Sequence, residues 1–279
     1  MTDRRRLAAN DRVAASHLRG QIDAPRFVDG SAAQVHVPVT DLLRAPGGAR
    51  DRQLLLGAPL TVYETYEGWS FVQAEDDYVG YVSADSLGAA IQQPTHTVAT
   101  AATHAYTAPD LKSHERAALP HGARLAVEGI NDTWAATPMG HVPVSHLVPL
   151  AHRASDPVEV ALLYLGTPYL WGGNSIWGID CSGLVQAACR ACGISCPGDS
   201  DMQEAELGER LPDGAPLQRG DIVFWRGHVG IMEDDRTLLH ANAHAMAVAR
   251  EDFAGACQRI ADQGDGPVTS RRRITRPSG

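Results

Sequence analysis

Cysteine is absent from the first 180 residues of this 279-residue chain, and four of its five cysteines fall between Cys181 and Cys196. A set that small and odd cannot make a disulfide framework; it fits a reducing compartment and raises the question of one reactive thiol. Long apolar runs are also missing. None reaches the roughly 18 residues of a membrane span, and the basic start MTDRRR leads into Asn10, Asp11 and Arg12 rather than a signal-peptide core. A cytoplasmic location is the resulting expectation, with leaderless export left open. Positive charge is scarce: a formal charge of −9 and a pI near 5.7 argue against nucleic acid or an anionic membrane as main partner. There is no phosphate-binding glycine loop, dinucleotide fingerprint or His-Glu-x-x-His helix.

What is present suits a globular chain of two or three domains. Hydrophobic residues make up 44% and charged residues 20%, which excludes wholesale disorder, while 27 glycines and 17 prolines imply many turns. An internal repeat accounts for much of the first half. Pro46, Gly57, Leu60–Val62, Trp69 and Gly80–Val82 recur as Pro109, Gly122, Leu125–Val127, Trp134 and Gly140–Val142, with offsets between 60 and 65. Short alternating stretches between Gly, Pro and Asp turns predict two small β-domains, with Trp69 and Trp134 as central core aromatics and His141 at the position of Tyr81. The expected boundaries are 1–34 for an N-terminal arm, 35–90 and 91–150 for the two β-domains, and 154–275 for a third, α+β domain.

That third domain opens with Asp156-Pro157, an N-cap followed by proline at the first helical position. A glycine-rich approach, Gly172-Gly173 and Gly178, then reaches Asp180-Cys181. Asp180 reads as the cap of a helix from Cys181 to Cys192, closed by Gly193. A thiol in the first helical turn sits among unpaired N–H groups, which are expected to lower its pKa and to hold an oxyanion. Downstream, Ile222–Trp225, His228–Met232 and Thr237–Ala241 read as strands. Two histidines twelve residues apart across the turn at 233–236 can then face one cleft, so Cys181, His228 and His240 supply nucleophile, base and orienter. Cys189, Cys192, Cys196 and Cys257 read as buried apolar residues, with no fourth ligand at zinc spacing, and no cofactor or metal is expected. His244 reads as non-catalytic. The run Arg271–Arg273 reads as a solvated strand face, or as a contact for a substrate carboxylate.

The ordered pieces Pro168-Tyr169-x-Trp171-Gly172-Gly173, Asp180-Cys181-Ser182-Gly183, Gly220-Asp221-x-Val223-Phe224-Trp225, His228-Val229-Gly230-Ile231 and His240-Ala241 resemble the NlpC/P60 family of papain-like cysteine peptidases. The two preceding β-domains resemble bacterial SH3-like barrels, as in the branch of that family that recycles cell-wall peptides in the cytoplasm. The resemblance implies a papain-like domain behind two SH3-like barrels and cleavage between γ-D-glutamate and an L-diamino acid in short murein peptides with a free N-terminal L-alanine. By position it makes Cys181 the nucleophile, His228 the base, His240 the third polar residue and Tyr169 part of the oxyanion site. It likewise makes Asp180 and Ser182 the holders of the substrate α-amine, with Tyr78 closing that pocket and Trp171 binding substrate. An acid from the first β-domain, Asp51 or Glu75, is expected to complete the pocket. An amidase or acyltransferase on the same scaffold, and a non-catalytic cell-wall-binding protein, are the alternatives.

Overall fold

In this computed structural model the described residues are 3–88 and 93–274; the expected boundary at 90/91 and residue 275 lie outside them. The chain divides into two compact units, Met1–Ala151 and His152–Gly279.

Among its described residues the first unit is all β apart from single turns of 3-10 helix. Its first repeat comprises β1 (Ser31–Val35), β2 (Val39–Leu43), β3 (Arg50–Leu55), β4 (Pro59–Tyr66), β5 (Trp69–Ala74), β6 (Val79–Ser83) and β7 (Leu87–Gly88). These pair antiparallel in the order β3-β2-β6-β5-β4-β1-β7. The second repeat has β8 (His96–Val98), β9 (Ala102–Tyr106), β10 (Glu115–Pro120), β11 (Arg124–Leu125), β12 (Gly129–Ile130), β13 (Trp134–Thr137), β14 (Gly140–Pro143) and β15 (Leu147–Pro149). It pairs as β10-β9-β14-β13-β12 and β11-β8-β15. The connectivity is that of the first repeat, with the long bulged strand β4 broken into β11 and β12. His141 pairs with Tyr106 where Tyr81 pairs with Leu43, matching the expected correspondence.

Three features differ from the sequence reading. Trp69 and Trp134 are only half-buried: in the second repeat alternation buries Ala135 and turns Trp134 to the less buried face, while in the first repeat Trp69 shares a face with the buried Phe71 but stands at the end of the strand. Trp134 instead packs edge-on against Tyr106, with ring centroids 5.4 Å apart. The expected N-terminal arm is part of the fold: Ala8, Val13, Ala14, Ala15 and Leu18 are buried in one cluster with Tyr63, Phe71 and Val79. The two repeats also share packing. Leu56 lies in the second repeat's core, and Gly57, at φ +79°, has the Arg124 carbonyl where a Cβ would stand, 2.4 Å away.

The described residues of the second unit wrap four helices around a sheet. The helices are α1 (Pro157–Leu162), α2 (Cys181–Ala191), α3 (Ser200–Glu206) and α4 (Phe253–Asp262). The strands of that sheet are β16 (Glu209–Arg210), β17 (Ile222–Trp225), β18 (His228–Met232), β19 (Thr237–Asn242), β20 (Ala247–Asp252) and β21 (Ser270–Arg273). All pairs are antiparallel, in the order β16-β21-β17-β18-β19-β20. Alternation sorts the side chains onto two faces. Ile222, Phe224, Val229, Ile231, Leu239, Ala241 and Val248 share a core with α1 and α2. Val223, Trp225, Met232 and Leu238 pack against Ala256 and Ile260 of α4. The run Arg271–Arg273 is structural: Arg273 makes two 2.8 Å bonds to the buried carboxylate of Asp221, clamping β21 at the start of β17.

Phe71→Ala should cost about 3–5 kcal/mol, measured by urea denaturation, and should make residues 3–30 cleavable by limited proteolysis while residues 152–274 stay resistant.

Candidate active site

Cys181 is placed by its neighbour. Asp180 has extended backbone (φ −99°, ψ −179°), and its carboxylate caps α2 by accepting the Gly183 N–H at 2.7 Å. It also accepts the Gly172 N–H at 2.8 Å and the Ser182 hydroxyl at 3.2 Å. One carboxylate thus ties the glycine-rich loop to the helix start. The tie needs glycine on both sides: a Cβ on Gly183 would lie 2.5 Å from the Gly173 carbonyl oxygen. From its other side Gln203, on α3, donates to the Ser182 carbonyl at 2.9 Å.

Cys181 is 7% exposed. The backbone N–H groups of Val229, the residue after His228, of Ser182 and of Cys181 itself are near enough to its sulfur to pull the thiol downward. These donors favour thiolate, as the sequence suggests, but they are outweighed. Burial first, and the neighbouring Asp180 carboxylate second, push the thiol up to about 12. The helix terminus stabilises the anion less than loss of water and a buried carboxylate destabilise it.

The histidines are joined directly. His228 opens β18 and His240 lies in β19, fully buried, with His228 Nε2 2.9 Å from His240 Nδ1. They are diagonal neighbours, since β18 and β19 pair at Ile231–Leu239 and Met232–Leu238. Gly230 makes the room: a Cβ there would lie 2.7 Å from Leu238 Cδ1 and 3.1 Å from His240 Cβ. Burial lowers His228 to about 3 and His240 to about 4, so both rings are neutral at pH 7. The resting site is therefore thiol and imidazole, not thiolate and imidazolium. Behind His240, its Nε2 lies 3.0 Å from Glu251 Oε2 on β20, and Arg259 of α4 donates to both oxygens of Glu251, at 2.8 and 2.6 Å. Neither Glu251 nor Arg259 carries a motif signal. The one clue is parity: Glu251 pairs with Leu238, which shares a strand face with His240.

The other expected residues divide by unit. Tyr169 is in the constellation: burial, then the charges of Cys181 and Asp180, push its phenol upward, so it stays a proton donor beside the thiol. Ser182 is buried on Asp180, and Trp171, next to Gly172 in the approach loop, is 71% exposed. Tyr78 belongs to the first unit, buried beneath the Arg52 guanidinium, 4.9 Å from its ring centre. The two acids expected with it are engaged by arginines there. Asp51 accepts from Arg4 and Arg44, and Glu75 joins the two repeats through Arg124 at 2.6 Å. Asp76, which the sequence reading passed over, pairs with Arg52. His244 is exposed. The thiols of Cys189 and Cys196 meet inside the core. Among the described residues no group of three or more His, Cys, Asp or Glu side chains could hold a metal ion, and no helix is long and apolar enough to cross a membrane.

A cysteine at a buried helix N-terminus, set against an antiparallel sheet that carries two linked histidines, is the layout of papain-like hydrolases. Residues 166–260 match the NlpC/P60 family, and residues 42–87 match the bacterial dipeptidyl-peptidase SH3 domain. The chain thus carries an NlpC/P60 domain behind a bacterial SH3 domain, and is homologous to dipeptidyl-peptidase 6 and to γ-D-glutamyl-L-lysine dipeptidyl-peptidases. It is 26% identical over 223 residues to dipeptidyl-peptidase 6 of Lysinibacillus sphaericus, covering 68% of this chain and 79% of that protein. It is 35% identical over 109 residues to a γ-D-glutamyl-L-lysine dipeptidyl-peptidase of Bacillus subtilis, where the match spans 35% of this chain and 36% of that one. An NlpC/P60 family protein from Bacillus cereus shares the fold, with a TM-score of 0.74 at 20% identity over 88% of this chain and 100% of the other.

Two outcomes follow from the buried histidines. Both have native pKa values depressed below the unfolded 6.5, so the unfolded chain binds more protons as pH falls from 6.5 toward 4 and 3. The second unit should hold full stability from this source above pH 6.5 and lose it across that window, read as a falling urea midpoint. Gly230→Ala should displace His240 and cut peptidase activity by about 10-fold or more, with Cys181 still present as a free thiol by mass spectrometry.

Proposed function

We propose that the chain is a cysteine peptidase that hydrolyses the γ-D-glutamyl–L-diamino acid bond of short murein peptides with a free N-terminal L-alanine, within the cytoplasmic recycling of cell-wall peptides. The observation that carries this reading is the Cys181–His228–His240 arrangement beside the Asp180 carboxylate. Homology to dipeptidyl-peptidase 6 and to a γ-D-glutamyl-L-lysine dipeptidyl-peptidase supports it. We also read residues 96–149 as a second SH3-like domain, on the shared pairing order of the two repeats.

His228, with Nε2 engaged by His240, turns Nδ1 to Cys181 and accepts the thiol proton as sulfur attacks the γ-carbonyl carbon. Because burial disfavours both charged forms, proton transfer accompanies bond formation instead of preceding it. The oxyanion that develops is met by the Cys181 N–H at the helix start and by the Tyr169 phenol. The tetrahedral intermediate collapses as the imidazolium of His228 protonates the leaving α-amine of the diamino acid. The thioester is then cleaved by water, deprotonated by His228, which releases the dipeptide and restores the thiol.

Asp180 accounts for the preference for a free N-terminus. Its Oδ2 has the Gly172 N–H as its one protein donor among the contacts described, and a carboxylate oxygen accepts two. The substrate ammonium is taken by that oxygen, with Ser182 alongside, in a charge-assisted bond. The same ammonium cancels the negative charge that holds the Cys181 thiol up, so amine binding also readies the nucleophile. Trp171, exposed in the approach loop, covers the peptide from solvent.

Cys181→Ala should abolish cleavage of L-Ala-γ-D-Glu-diaminopimelate with an unchanged melting curve; turnover in that variant would end the mechanism. N-acetylating the substrate should lower kcat/KM by about 100-fold, as expected when a buried charged partner is lost. Equal rates for the two substrates would remove Asp180 from amine recognition.

A further inference from the structure

We propose that the Glu251–Arg259 pair is a positioning element of this active site, which fixes the proton of His240 on Nε2 and thereby leaves Nδ1 of His228 open to receive the thiol proton. The proposal rests on the reading of Cys181 as nucleophile and His228 as its base.

The argument is one of donors and acceptors along a chain of short contacts. Arg259 donates to both oxygens of Glu251, at 2.8 and 2.6 Å. A carboxylate so held only accepts, so the His240 Nε2 at 3.0 Å must be the protonated nitrogen. His240 is neutral and fully buried, so its Nδ1 carries no proton and accepts from His228 Nε2 at 2.9 Å. That places the single proton of neutral His228 on Nε2 and leaves Nδ1 as a lone pair. Without the carboxylate, the opposite sequence of tautomers satisfies the His–His contact equally well. It would present an N–H to the thiol, and the base would be lost. A pair of histidines has no built-in direction; Glu251 supplies one, and Arg259 keeps Glu251 an acceptor by holding its carboxyl below the ordinary range.

The charged and titratable groups around Glu251 are His240 on β19, with His228 on β18 behind it, and Cys257 and Arg259 on α4; Arg271 of β21 and Asp252 of β20 reach Cys257 alone of these. Of these, Arg259 alone bonds Glu251 on both oxygens. It also determines what an amide would do there. In Glu251→Gln the single carbonyl oxygen is claimed by Arg259, so the NH2 group turns to His240 and reverses the whole relay.

The test reads Cys181 without any peptide substrate: the rate of iodoacetamide alkylation at Cys181, from peptide mass spectrometry, across pH 5–9, with melting curves alongside. In the native protein alkylation near neutral pH depends on His228. In Glu251→Gln that rate should fall by about 10-fold or more, rising again only in alkali as the thiol ionises unaided. Arg259→Met should move the acid limb of the profile to higher pH, because Glu251 then protonates more readily, and Arg259→Lys should move it less. Native profiles in both Glu251→Gln and Arg259→Met, in folded protein, would overturn the proposal. Should Glu251→Gln fail to fold, a native profile in Arg259→Met alone would overturn it. A responsive Cys181 that leaves the murein peptide uncut would instead refute the substrate assignment and leave the relay standing.

Discussion

The second unit depends on one carboxylate that is not itself a nucleophile or a base. Asp180 collects the Gly172 and Gly183 N–H groups and the Ser182 hydroxyl, and so joins the approach loop to the first turn of α2. The placement of Cys181 at the start of α2, buried and with the Tyr169 phenol beside it, follows from that join. Capping of this kind is worth about 0.5–2 kcal/mol to a helix. Here the same bonds also set where the thiol stands, and the carboxylate's charge sets how reluctantly it ionises.

The sheet supplies the other half, and its two faces do different work. One face gives α1 and α2 a dry core that excludes water from the thiol. The other parity carries His228, His240 and Glu251, which α4 completes with Arg259. Burial makes the histidines neutral and the thiol protonated, so nucleophile and base are uncharged at rest, with the Asp180 carboxyl on one side and the Arg259-bound Glu251 carboxylate on the other. Charge then separates only with the substrate bound.

Much of this was legible in the residues. Asp180 as cap, the helix to its Cys192 end, the strands at 222–225 and 228–232, and the meeting of His228 with His240 all follow from local spacing. The internal repeat was readable because its turns and strands recur at a near-constant offset, and the pairing order matches between copies. What local reasoning missed is non-local. Glu251 and Arg259 join the site from a strand and a helix with no motif of their own. Arg273 is spoken for by a buried Asp221 more than fifty residues away. The N-terminal segment looks polar at its start, yet its small residues at 8 and 13–15 fill a gap over Phe71. The thiol's pKa runs opposite to the sequence expectation because the helix terminus is visible in sequence and the depth of burial is not.

The central claim is tested most directly by the products from a single substrate. Incubation of the protein with L-Ala-γ-D-Glu-diaminopimelate, followed by mass spectrometry, should yield L-Ala-D-Glu and free diaminopimelate, and no free alanine. An intact tripeptide, or release of alanine from the other bond, would contradict the account.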